Sequence, residues 1–73
     1  MSEDDISDDI DDRLRDEGYG FCMTTKEVAE VLKVDRRTVY EYAEDGLLEA
    51  TKLRGQNRYT RSGLAGFIAR GMG

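Results

Sequence analysis

The densest group of chemically capable side chains in this chain lies in "DRRTVYEY", residues 35–42. Two guanidinium groups, a hydroxyl, two carboxylates and two phenols sit within about two helical turns. On a helical wheel of about 100° per residue, Arg37, Tyr40 and Glu41 fall opposite a stripe of Val39, Tyr42 and Ala43. Arg36 and Thr38 take the flanks. A face of this kind can read base edges in a major groove, with Arg bidentate to guanine and Glu accepting from cytosine. Arg36 and Arg37 in the first turn can also hold phosphates beside the free amides of a helix start. Taken alone, the segment also fits an ordinary helical hairpin with a solvated charged face.

A second cationic group, Lys52, Arg54, Arg58 and Arg61, surrounds the turn-like tetrad "RGQN", residues 54–57, where Gln56 and Asn57 add amide donors and acceptors. Gly55 can take a positive φ there. Lys33 adds a further cation ahead of the arginine pair. Elsewhere the chemistry is thin. The chain has no histidine, so Cys22, Ser62 and Tyr59 lack an obvious general base. No glycine motif cradles a phosphate. A single cysteine forms no internal disulfide and, without histidine, no zinc site. Cys22, between Phe21 and Met23, is expected to be a small buried hydrophobe. The chain is therefore expected to have no catalytic residues, no metal ligands, no cofactor and no enzymatic activity. With no apolar run near the ~20 residues of a membrane span, no signal-peptide pattern and one thiol, it is expected in the cytoplasm.

The net charge of −5 hides a sharp division. Residues 1–18 carry nine acids against Arg13 and Arg15, whereas residues 19–73 carry nine bases against seven acids. The distribution, not the sum, bears on a polyanionic partner. In the leader, Ile6, Ile10 and Leu14 recur at i, i+4 and i+8, with acids crowding the start and arginines near the end, as a helix dipole favours. Residues 1–18 are thus expected as an acidic leader, either disordered or a loose amphipathic helix stopped at Gly18. A calcium loop is excluded, because the Asp-rich run lacks the glycine and ligand alternation such loops need.

The elements that would position the basic groups follow from local signals. Thr24 and Glu27 have the spacing of a capping box, opening a helix that presents Val28, Val31 and Leu32 on one face and Ala29 at its edge. Asp35 is a suitable N-cap for the next helix, and Gly46 a suitable left-handed stop. Only a few residues separate the two helices, which suits a helix-turn-helix. Residues 47–53 and 58–59 read as a short β-hairpin with a basic tip. Ser62 is expected to cap a last helix to about residue 69, with Leu64, Phe67 and Ile68 as its apolar stripe. Residues 19–70 then form one domain, and residues 71–73 a frayed terminus.

The run "TTKEVAEVLKVDRRTVYEYAEDGLLEATKLRGQNRYTRSGLAGFI", residues 24–68, resembles the excisionase-type winged helix-turn-helix family, related to the DNA-binding domains of MerR-like regulators. The resemblance rests on the Thr-x-x-Glu opening, Ala29, Val34 in the turn, Arg-Arg-Thr-Val-Tyr, the Gly-Leu-Leu exit and the basic hairpin leading to Arg58 and Tyr59. Lys33 departs from the pattern, which favours glycine there. The resemblance implies a small α+β fold: helix-turn-helix, β-hairpin wing and C-terminal helix behind the acidic leader. It also implies sequence-specific double-stranded DNA binding, with Arg36, Arg37, Thr38, Tyr40 and Glu41 in the major groove. Lys33, Lys52, Arg54, Gln56, Asn57, Arg58 and Arg61 would serve as wing and flanking contacts. Members of this family bend DNA at repeated sites and recruit an integrase, so cooperative multimers on DNA are expected. A compact transcriptional regulator is the alternative. Another is a protein-interaction adaptor that uses residues 1–18 on an integrase or polymerase subunit.

Overall fold

In the computed structural model, which describes the backbone of residues 2–72 and the side chains of residues 2–71, Ser2 opens the first element. Its Oγ accepts from the Asp5 amide (3.3 Å) and starts α1 (Glu3–Asp16). Acids Glu3, Asp4 and Asp5 occupy the positive end of the helix dipole, and Arg13 and Arg15 the negative end. Gly18, at φ 98°, closes the helix. The Gly18 and Tyr19 amides return to the carbonyls of Arg15 (3.0 Å) and Leu14 (3.1 Å), a Schellman arrangement.

The chain then enters β1 (Cys22–Thr24) and turns directly into α2 (Thr25–Leu32). The capping box is complete: Thr24 Oγ1 accepts from the Glu27 amide (3.1 Å), and the Thr24 amide donates to the Glu27 carboxylate (2.9 Å). After residues 33–35 come α3 (Arg36–Glu44), β2 (Thr51–Leu53), β3 (Gln56–Thr60) and α4 (Arg61–Met72). The strands form one antiparallel sheet in the order β1-β3-β2. Its core residue is Tyr59 on the central strand, opposite Met23 of β1. Tyr59, Met23, Val28, Val39, Leu48 and Leu64 are almost entirely buried together.

Several elements differ from the sequence expectations. Cys22 is exposed, not buried, because strand alternation turns only Met23 inward from β1. The last helix starts at Arg61, two residues before the start that a cap at Ser62 implies. Thr60, not Ser62, supplies its cap, accepting from the Gly63 amide through Oγ1 (2.9 Å). This helix also runs past the expected end near residue 69. Gly71 and Met72 of the expected frayed terminus lie within α4, and Gly73 lies outside the described residues.

The largest difference concerns the leader. α1 packs along α4, with Leu14 buried in the core and Ile10 half-buried against it. Burying one leucine is worth about 1.5–3 kcal/mol, a large share of the stability of a domain this small. Polar contacts hold the same junction. The Arg61 guanidinium pairs with Asp11 through Nε and donates from Nη1 to the Tyr19 carbonyl (2.9 Å). These contacts leave no packing boundary between residues 18 and 19, and the disordered alternative for the leader gives way to a docked helix.

Two substitutions test these contacts. Lys33 adopts φ 60° and ψ 43°, a left-handed conformation that disfavours a side chain. Lys33→Gly is expected to raise stability in urea unfolding by about 0.5–1 kcal/mol, after allowing for glycine's greater freedom in the unfolded chain. A double-mutant cycle of Asp11→Ala and Arg61→Ala should give a coupling of about 1 kcal/mol, with Arg61→Ala the more damaging single change because it also frees the Tyr19 carbonyl.

Candidate nucleic-acid interface

The positioning of the basic groups begins with the turn between α2 and α3. Lys33 in its left-handed conformation lets the Val34 amide return to the Ala29 carbonyl (3.1 Å), which ends α2 within a single turn. Asp35 then takes the N-cap backbone conformation of α3, although its side chain makes no cap hydrogen bond. Val39 is buried and Tyr42 and Ala43 are half-buried, so the apolar stripe faces inward as the wheel indicates. Gly46, at φ 77°, closes α3. Its amide meets the Ala43 carbonyl (3.2 Å) and the Leu47 amide the Tyr42 carbonyl (3.0 Å), which directs Leu48 into the core.

The hairpin is tighter than the tetrad suggests. Arg54 (φ 52°) and Gly55 (φ 80°) alone form its turn, and Leu53 pairs directly with Gln56. Positive φ at both central residues is the mark of a type I′ turn, whose twist matches that of the flanking strands. Gln56 and Asn57 therefore belong to β3 and not to the loop. β2 begins at Thr51, so residues 47–50 are a connection and not strand. A hairpin beside a helix-turn-helix, followed by a C-terminal helix, is a winged helix-turn-helix.

Between α3 and this wing lies an open groove of about 730 Å³. Arg36 and Tyr40 line it from α3, and Lys52, Gln56, Asn57 and Arg58 from the wing. α2 contributes Lys26 and Thr25 from its first turn. Four cations (Lys26, Arg36, Lys52 and Arg58) thus converge on a groove bordered by a single carboxylate, Glu44. Among the described residues none of the four is engaged in an ion pair, whereas Arg13, Arg15 and Arg61 are. Four unpaired cations facing one cleft give it a positive potential.

Other expected residues lie elsewhere. Arg37 and Glu41 are exposed on α3 outside the groove, Thr38 is half-buried on its flank, and Lys33 and Arg54 are exposed at the inter-helix turn and the wing tip. Arg61 is separate from this group. Only 16% of its side chain is exposed, and its donors are committed to Asp11 and Tyr19. Lys26 escaped the sequence reading. Its signal was its place two residues after a capping threonine, in the first turn of a helix, where side chains flank the exposed amides.

The groove's floor is held by one phenol. Tyr59 Oη accepts from Thr25 Oγ1 (3.3 Å) and from Asn57 Nδ2 (3.4 Å), tying the start of α2 to the wing. Arg58 Nη1 donates to the Asn57 carbonyl (3.3 Å), laying that side chain along the strand. The acidic helix contributes nothing to the groove lining. Its extensive contact is with α4, and no residue of α1 or α4 borders the cleft. Off the groove, the Tyr19 phenol titrates above its ordinary value, pushed up by burial first and then by Glu30, Glu17 and Glu27. No helix among the described residues is long and apolar enough to cross a membrane.

A family model described as a helix-turn-helix domain matches residues 22–72. The match spans the three strands and the helices that frame the groove, and it leaves out α1. No curated protein and no solved structure matches the chain.

Replacing Tyr59 by Phe keeps the core volume but removes the acceptor shared by Thr25 and Asn57. The buried Thr25 hydroxyl is then left without its partner, and thermal or urea unfolding should show a loss of about 1–2 kcal/mol.

Proposed function

We propose a function from one premise: the chain belongs to the helix-turn-helix domain family. It binds double-stranded DNA, with α3 entering the major groove and the wing lying over the adjacent groove. The observation that carries this reading is the convergence of Lys26, Arg36, Lys52 and Arg58 on the cleft between α3 and the wing. Those four cations neutralise phosphates and set the register of the protein on the duplex. Arg37, Tyr40 and Glu41, exposed along α3, are then free to meet base edges. Arg54 extends from the wing tip toward the minor groove, whose negative potential suits a guanidinium.

The resemblance of residues 24–68 to excisionases supports an architectural role in recombination, in which several copies bind side by side and direct an integrase. One module of this size makes few contacts, so tight binding calls for cooperating copies. A compact transcriptional regulator would use the same surface. The adaptor reading has its own supporting observation. α1 docks on α4 and presents Asp4, Asp8, Asp12 and Asp16 to solvent away from the groove, so a basic partner could be held there while DNA is bound.

Gel shifts over a series of salt concentrations, on DNA flanking the protein's own gene, test the central reading. The logarithm of the affinity should fall linearly with the logarithm of salt, by about 0.9 for each phosphate neutralised. Arg36→Ala and Lys52→Ala should each weaken binding and reduce that slope by about one. A flat salt response would remove the DNA reading. A recombination reaction by an integrase, run with and without the protein, separates excision from transcriptional control. Asp8→Asn combined with Asp16→Asn tests the adaptor reading without removing Leu14 from the core, which deletion of residues 1–18 would do.

A further inference from the structure

The wing carries one side chain that neither the core nor a phosphate contact accounts for. Leu53 is the last residue of β2 and half of it is exposed to solvent. Strand alternation places it on the sheet face of Thr51, Gln56 and Arg58, opposite the face on which Tyr59 and Asn57 meet Thr25. It therefore contributes little to the interior. Its neighbours in the chain are Lys52 and Arg54, and it is paired across the hairpin with Gln56, beside the two-residue turn. An apolar side chain held beside a tight turn, with Lys52 and Arg54 on either side of it in the chain and Arg58 on its own sheet face, has the form of a wedge. The cations fix the sugar-phosphate backbone, and the apolar group finds its dry surface against the stacked bases.

We propose that Leu53 is a bending wedge: it enters the minor groove beside the wing and presses into a base step, while Lys52, Arg54 and Arg58 hold the flanking phosphates. The inference rests on the DNA-binding reading above and gives the wing a task beyond gripping. The duplex it fits is one whose flanking minor groove contains an easily unstacked pyrimidine–purine step, because such steps resist kinking least. The preference for that step arises from deformability, with no hydrogen bond to a base required. The rigidity of the two-residue turn matters to the mechanism, since a floppy loop would yield before the base stack did.

The test uses the duplex that the full wild-type chain selects from a random library, labelled at its two ends with a donor and an acceptor dye. Energy transfer is read at saturating protein, and affinity is read separately by titration. Wild type and Leu53→Met should both raise transfer by bending the duplex. Leu53→Ala should bind within about threefold of wild type yet leave transfer at the level of free DNA. Because Leu53 is half-exposed on an edge strand, circular dichroism and the melting temperature of both variants should match wild type. Arg54→Ala should weaken binding and lower the salt slope by about one while retaining the bend once saturated. Bending by Leu53→Ala equal to that of wild type would overturn the wedge and leave DNA binding intact. A wild-type chain that selects no duplex would overturn both.

Discussion

The structure depends most on β3 and on the tyrosine buried in it. β3 pairs with β1, which runs straight into α2, and with β2, which forms the outer half of the wing. It also runs directly into α4. Every element of the groove is thereby referred to one strand. Tyr59 makes the reference rigid, since its ring fills the core and its oxygen takes bonds from Thr25 and Asn57. The spacing between helix and wing, which the four cations of the groove share, is set by packing and not by those charged side chains themselves. That arrangement is sound physics. Like charges held near one another repel, so a cationic cleft needs a neutral framework to keep it together until an anion arrives.

Charge segregation is the second organising feature. The chain is acidic overall, yet its carboxylates concentrate on α1, whereas four of its cations line the groove beside a single carboxylate. α1 takes eight of the sixteen carboxylates and docks on α4, whereas the groove is built from α2, α3 and the hairpin. The molecule is 37 Å long, several times the screening length of about 8 Å at physiological salt. Charges on separate elements of such a molecule act largely independently on a partner. A net charge of −5 therefore does not argue against a polyanionic ligand here.

Much of this was legible in local signals. The capping box at Thr24, the stripe of Val39, Tyr42 and Ala43, the stop at Gly46 and the strained turn at Lys33 all depend on residues within a few positions of one another. What escaped had a non-local cause. β1 is three residues long, too short to show alternation, and it exists because β3 offers an edge to pair with. Without that strand Cys22 reads as part of an apolar cluster; with it, Cys22 points to solvent. Arg61 belongs by sequence to the wing's basic cluster, but its partner Asp11 lies 50 positions away. Lys26 belongs to no sequence cluster and reaches the groove only because α2 starts beside the wing.

The sequence by itself determined the helix-turn-helix, the stops at Lys33 and Gly46, the acid-base division along the chain and the family to which it belongs. These rest on backbone preference and short-range spacing, which a linear reading captures. Tertiary structure alone decided which cations share a cleft, that Arg61 serves packing instead of the groove, and that the acidic leader is a docked helix contributing Leu14 to the core. Each of those outcomes depends on groups distant in the chain meeting in space. An arginine's role is set by the nearest carboxylate or open cleft, and neither is encoded next to it.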